Sequence, residues 1–320
     1  MSAMSKGRTL KIFLVDGTPN GLLTAEVMNW TGHVITGPRT RLPELLQRPE
    51  INRTAVYFLV GPESGTGLGT QVYIGETDDA KARLVGHNRP EDKGGKDFWE
   101  RVCVVTSKDA NLTKGHIKYL ESRLITRAKQ AGRCELMNGT DPEYDGLPEA
   151  DRSDMEFFLE QIQTLLPVLG FDFLRVTPPR VVVAPGAIDA PVASPTFVAT
   201  VSRFGITARG QERDGEFVVF KGSRTRLKWE GVASGYDKLF NDLVAKGVLA
   251  PTADGQHNEF TQDYAFSSVS AAAAVVSGRT ANGRVHWVIE GTEQSYGQWA
   301  AEQVAKAQQT SVPAASEASP

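Results

Sequence analysis

Ala55-Val56-Tyr57-Phe58-Leu59-Val60 and, beyond a glycine-rich connection, Gln71-Val72-Tyr73-Ile74-Gly75 are the stretch whose reading decides the fold. Branched and aromatic residues crowd both segments, and each has the length of one strand. Alternation sends residues two apart to the same face, so Tyr57 sits with Ala55 and Leu59, and Tyr73 with Gln71 and Gly75. If the strands pair as a hairpin through residues 61–70, the two phenols lie side by side.

Working outward, Asp78 reads as the N-cap of a helix reaching His87, with an acidic first turn. Arg83 and His87 are four apart and share a face of it. Residues 97–106 read as a third strand, approached through a polar loop holding Arg89, Lys93 and Lys96. These three could grip nucleic acid or simply solvate the loop. Residues 115–133 have helical spacing, with Thr113 as cap and Ile117, Leu120, Leu124, Ile125, Ala128 and Ala131 as one apolar stripe. Glu121 falls inside that stripe. A carboxylate there is costly to bury unless it is paired, hydrogen-bonded or bound to a metal. Alternatively it leans out at the edge of the contact and pairs with Arg83. Position alone leaves both readings open.

Val56-Tyr57, Tyr73-Ile74-Gly75, Arg83, His87, Glu121 and Asn138, in that order, resemble the GIY-YIG nuclease domain. The resemblance covers about the middle third of the chain, and several ordered elements carry it together. It implies an α+β fold, a small three-stranded antiparallel sheet flanked by helices, that cuts DNA with one divalent metal, Mg2+ or Mn2+. It further implies that Tyr57 and Tyr73 handle the attacking water, Arg83 holds the scissile phosphate, Glu121 binds the metal and Asn138 positions the site. His87 occupies a helix position where the family often has His or Tyr. Two residues depart from the pattern: Ala55 replaces a glycine, and Glu76 stands where many members carry a lysine. A carboxylate raises a neighbouring phenol above its ordinary pKa of about 10, so His87, ordinarily near about 6.5, competes for proton transfer.

A chain of 320 residues has room for two or three domains, and its 40% hydrophobic and 23% charged residues are those of a soluble globular protein. The formal charge of -3 argues against broad nonspecific coating of nucleic acid, which needs clustered cations. Cys103 and Cys134 lack metal-ligand spacing and suit a reduced, cytoplasmic protein. The apolar run at 10–15 is too short for a signal peptide or a membrane span, so no membrane partner is expected.

Ahead of the core, residues 1–53 read as an accessory β/α unit, with strands at 10–15 and 32–36 and a short helix at 42–47. Trp30 and His33 read as packing residues in preference to base-stacking ones. Gly65-Thr66-Gly67-Leu68-Gly69 is no phosphate loop, because a strand and not a helix follows it. After the core at 54–140, a helical extension spans 141–176, where Ser153 and Glu156 form a capping box. Residues 177–195 are a proline-rich linker.

Residues 196–302 read as a separate C-terminal α+β domain, with strands at 197–201, 205–209 and 216–221, helices at 236–246 and 270–277, and a last strand at 283–289. This segment resembles a domain of unknown function that often follows GIY-YIG modules. Its basic cluster of Arg224, Arg226 and Lys228 either holds DNA or protects a sheet edge. Residues 303–320 read as a disordered tail.

The expected activity is metal-dependent DNA endonuclease. RNA stays open as a substrate, because nothing in the segment reads a 2'-hydroxyl. The alternative is a nucleic-acid-binding or assembly module that retains the fold with weak catalysis. Cutting both strands with one site requires a dimer or two visits.

Overall fold

The computed structural model describes residues 7–62, 70–140, 142–175, 194–213 and 215–310, excluding the side chains of 307–310. The glycine run at 65–69 and nearly all of the 177–195 linker lie outside these residues. The architecture is α+β, and the described residues divide into two units, one within residues 3–176 and the other within 177–320.

The first unit is built on one sheet. Strands β1 (Leu10–Leu14), β2 (Leu23–Val27) and β3 (Gly32–Pro38) precede the short helix α1 (Leu42–Leu45). β4 (Ala55–Pro62) and β5 (Thr70–Thr77) then form the expected antiparallel hairpin, with Tyr57 opposite Gly75 and Leu59 opposite Tyr73. Helix α2 (Ala80–His87), strand β6 (Arg101–Ser107), helix α3 (Lys114–Ala131), the two-residue β7 (Glu135–Leu136) and helix α4 (Glu149–Val168) complete it.

The strand order is β1-β2-β3-β6-β4-β5-β7. The three antiparallel strands β6-β4-β5 are therefore the centre of a seven-stranded sheet, not a sheet of their own. β3 pairs with β6 over its whole length, from Gly32 opposite Ser107 to Pro38 opposite Arg101. The strands within residues 10–38 thus extend the same sheet in place of forming a separate one. β2, unforeseen from the sequence, supplies the link between β1 and β3.

Alternation along β4 splits the core between the two faces of this sheet. Val56, Phe58 and Val60 pack with Ile117, Leu120 and Leu124 of α3 and Phe158, Leu159 and Ile162 of α4. Ala55, Tyr57 and Leu59 pack on the other face with Leu42 and Leu45 of α1 and Ala80 and Leu84 of α2. Trp30 and His33 are buried, Trp30 against Phe158 at a ring separation of 4.8 Å and His33 beside Glu26.

Several boundaries differ from expectation for local reasons. Asp79, not Asp78, caps α2 by accepting from the Ala82 amide at 3.0 Å, while Asp78 is drawn to Lys114. β6 begins at Arg101, four residues after the expected start at Asp97. α4 starts at Glu149 behind Pro148, with Glu149 and Asp151 complementing the helix dipole, so Ser153 is interior and caps nothing.

The second unit contains β8 (Phe197–Val201), β9 (Ile206–Arg213), β10 (Glu216–Val219), β11 (Arg224–Arg226), α5 (Tyr236–Ala245), β12 (Leu249–Pro251), β13 (His257–Phe260), β14 (Tyr264–Phe266), α6 (Val269–Ser277), α7 (Gly283–His286), β15 (Val288–Ile289) and α8 (Tyr296–Thr310). A five-stranded sheet runs β14-β10-β9-β8-β15, and a three-stranded one runs β11-β13-β12. The alanines of α6 bury completely among Phe197, Phe217, Phe240, Phe260 and Trp287, small side chains permitting close approach.

The strand expected at 283–289 is mostly helix. Asn282 caps α7, and Gly283 lies against the Val269 backbone, where a Cβ would come within 2.2 Å of the carbonyl oxygen. Residues 303–310, expected to be disordered, are the second half of α8, while 311–320 lie outside the described residues. No helix among the described residues is long and apolar enough to cross a membrane.

Candidate active site

The hairpin brings Tyr57 and Tyr73 together at a ring separation of 6.1 Å. Gly75 makes this possible. It stands opposite Tyr57, and a Cβ there would lie 2.4 Å from the phenol ring and hydroxyl, so the ring occupies the space a side chain would need.

α2 lays its Arg83–His87 face on the tyrosines. The Tyr57 hydroxyl is 2.7 Å from His87 Nε2 and receives a hydrogen bond from Arg83 Nε at 3.2 Å. The Tyr73 ring meets the His87 ring edge-on at 5.3 Å, and its hydroxyl interacts with both Tyr57 and Arg83. Burial, then the neighbouring Tyr73, pushes the Tyr57 phenol well above the ordinary range, so it stays protonated. Burial first, then Arg83 and Lys96, holds His87 down to about 4, which leaves it neutral with a lone pair near pH 7. A neutral imidazole at Nε2 and a phenol that takes one bond from Arg83 are matched as acceptor and donor.

On the other face of the sheet end, α3 contributes Glu121. Thr113 caps this helix in a reciprocal box with His116, and Gly132, at φ 62, ends it. Glu121 is partly buried and raised to about 7, chiefly by burial and secondly by the charge of Glu76, while the Glu76 backbone amide and the cations Arg83 and Lys114 oppose the shift. The suggested Arg83–Glu121 ion pair does not form. Among the described residues Glu121 has no salt-bridge partner.

Asn138 holds the strand in place and touches none of the reacting groups. Its amide mimics a strand neighbour to β5, accepting from the Ile74 amide at 3.1 Å and donating to the Ile74 carbonyl at 2.7 Å. Ile74 is the residue between the site's Tyr73 and Gly75, so Asn138 fixes their register.

Lys114 was missed from sequence. It is the first residue of α3, two turns before Glu121 on the same face, and its ammonium lies 2.6 Å from Glu76 Oε2 and 3.1 Å from Asp78 Oδ2. The departure at Glu76 is thereby answered by a cation from another element. The spacing from Thr113 to Lys114 to Glu121 was the available signal.

An open cleft of about 660 Å³ is lined by Glu76, Arg83, His87, Arg89, Lys93 and Lys114, among others. Of the loop cations named from sequence, Arg89 and Lys93 face this cleft. Lys96 reaches the cluster from the Tyr73 side, with its ammonium 4.2 Å from the centre of that ring.

The basic cluster of the second unit is divided. Arg226 is bound into the fold, paired with Glu230 and stacked 3.9 Å from the centre of the Phe204 ring. Arg224 and Lys228 are exposed. Arg209, expected near the cluster, pairs with Glu290 at 2.7 Å.

Among the described residues no three His, Cys, Asp or Glu side chains gather as a ready metal-ligand group. The donor set is one carboxylate, Glu121, with no salt-bridge partner among the described residues. That fits a magnesium-like ion, which keeps most of its waters and takes one or two carboxylates.

No curated protein and no solved structure matches the chain. A family model described as a domain of unknown function (DUF4357) matches residues 197–300, in agreement with the resemblance read for the C-terminal segment.

Proposed function

We propose that the first unit is a metal-dependent endonuclease that hydrolyses phosphodiester bonds of DNA. One observation carries this reading: Tyr57, Tyr73, Arg83 and His87, from three separate elements, converge in one hydrogen-bonded cluster, and the carboxylate of Glu121, which feels the charge of Arg83, has no salt-bridge partner among the described residues. These are the residue types that phosphodiester hydrolysis requires. The guanidinium of Arg83 suits the anionic phosphate through charged hydrogen bonds.

Tyr57 does not serve as phenolate, because burial holds its proton. It acts with His87. As Tyr57 passes its hydroxyl proton to the neutral His87 Nε2, its oxygen takes one from the attacking water, and the hydroxide attacks phosphorus. His87 ends as imidazolium, and the departing alkoxide takes a proton from solvent. Tyr73, more exposed, orients the water. Glu121 would hold a divalent ion, which would supply charge neutralisation for the leaving oxygen. Asn138 keeps Tyr73 and Gly75 in register, and Lys114 neutralises Glu76 so that Glu121 is the carboxylate left for the ion.

The test is cleavage of supercoiled, linear, branched and single-stranded DNA, and of RNA, with Mg2+ or Mn2+ against chelator. Glu121→Gln is expected to abolish cutting with no loss of folding, because the amide removes a half-buried charge of the same shape. Full activity in Glu121→Gln sinks the assignment. DNA binding without metal-dependent turnover in the parent moves the reading to the binding module.

A further inference from the structure

Lys96 is an unusual lysine for its surroundings. It is partly buried, its ammonium sits 4.2 Å from the centre of the Tyr73 ring, and no carboxylate among the described residues pairs with it. Arg83, bonded to the Tyr57 hydroxyl, likewise has no salt-bridged carboxylate among those residues. Lys96 feels the guanidinium: its pKa is lowered first by burial and then by Arg83. A fold gains nothing from holding two such cations together unless an anion completes the set.

The loop that delivers Lys96 is tightly built. Its backbone amide returns to the His87 carbonyl at 2.9 Å, tying it to the end of α2. Gly94 takes φ 79 after a turn of 3-10 helix, and the Gly94 and Gly95 amides bond to Glu91 and Pro90. At Gly95 a Cβ would fall 1.6 Å from the Arg89 carbonyl oxygen, so only glycine lets the chain turn back toward Tyr73. The paired glycines thus serve to place one ammonium on one aromatic face, where the ring quadrupole steadies it.

We infer that Lys96 is a second anion-contacting residue of the site, which with Arg83 takes the phosphoryl oxygens of a phosphodiester bound beside Tyr73. The nature of the anion rests on the nuclease reading above; the anion site itself does not. Lys96 thereby differs from Arg89 and Lys93 of the same loop, which face the cleft and steer the chain of phosphates without touching the one being cut.

The experiment has two arms, both on the full chain. In the first, cleavage kinetics are compared for the parent, Lys96→Met, Lys96→Arg and Gly95→Ala. Loss of a charge-stabilising donor is expected to lower kcat on the order of 10²-fold in Lys96→Met. Lys96→Arg recovers most of it, Gly95→Ala matches the loss, and Arg89→Ala and Lys93→Ala raise KM while leaving kcat near parental. In the second arm, inorganic phosphate is titrated in the presence of chelator while the Tyr73 and Lys96 amide resonances are followed. Saturable shifts are expected in the parent and not in Lys96→Met. Phosphate bound through Lys96 by a parent that cuts nothing upholds the anion site and discards only the nuclease reading. Lys96→Met that binds phosphate like the parent overturns the inference, whether or not the parent cuts. A kcat loss that Lys96→Arg leaves unrecovered also overturns it.

Discussion

The two units use the same cationic side chains in opposite ways. In the second unit Arg209 and Arg226 are neutralised by Glu290 and Glu230, and Arg226 also covers Phe204, so these charges stitch the fold together. In the first unit Arg83 and Lys96 contact Tyr57 and Tyr73, and neither has a salt-bridged carboxylate among the described residues. A paired arginine at a surface contributes little, and its loss is felt as packing. Partly buried cations with no salt-bridged carboxylate cost stability, and such a cost is tolerated where a ligand relieves it. Basic residues counted along a sequence are therefore poor guides to a nucleic-acid surface until their partners are known.

The sharpest way to break this contrast is at Gly75. Gly75→Ala puts a methyl group against the Tyr57 ring without altering any charge. If the first unit's cluster is the working site, cleavage should fall on the order of 10²-fold, the usual result of misplacing a reacting group by about an ångström. A variant that folds and cuts like the parent shows that Tyr57 is not part of the machinery.

The second measurement is the pH dependence of unfolding for the parent and His87→Gln in chelator. His87 is held down to about 4 in the folded chain, below its ordinary 6.5. The unfolded chain therefore takes up the proton first, and the stability tied to a neutral His87 is present above about pH 6.5 and lost as the pH falls toward 4. The parent should lose roughly 1–2 kcal/mol relative to His87→Gln across that window, after allowance for solvent screening. Parallel curves for the two proteins contradict a buried neutral His87.

The smallest effects separate paired from unpaired cations in the second unit. Arg226→Ala should lower Tm through loss of its contacts with Glu230 and Phe204, a matter of about 1 kcal/mol, and leave DNA affinity unchanged. Arg224→Ala and Lys228→Ala should leave Tm alone. If that strand holds DNA, each reduces the dependence of binding on salt by about one ion. Equal losses of DNA affinity in Arg224→Ala and Arg226→Ala erase the distinction between the two kinds of cation.

Much of the candidate site was legible along the chain because its parts are local. The alternation of β4 and β5 placed Tyr57 with Ala55 and Leu59, the four-residue spacing put Arg83 and His87 on one face, and Thr113 announced α3. Lys114 was readable by the same rule and was overlooked. Lys96 was named with Arg89 and Lys93 as a cation able to grip nucleic acid, but its seat on the Tyr73 ring was not readable: the loop has no period, and only the clash a Cβ would meet at Gly95 shows why the chain turns there. In the second unit, the alanine-rich α6 was visible from composition, but α7 was hidden inside a run that looks like a strand, because close packing against Val269 decides its conformation.

By itself, the sequence determined the hairpin, the helices with apolar stripes, the Thr113 cap and which side chains share a face, since each depends on residues within a turn or two of one another. Tertiary structure alone decided that β1, β2 and β3 continue the central sheet, through a β3–β6 pairing between segments more than sixty residues apart in the chain. Tertiary structure also decided which charges are balanced. Alternation and helical period are properties of the backbone, whereas charge balance depends on what long-range packing brings within a few ångströms, as it brings Lys114 to Glu76 and leaves Lys96 with the face of Tyr73.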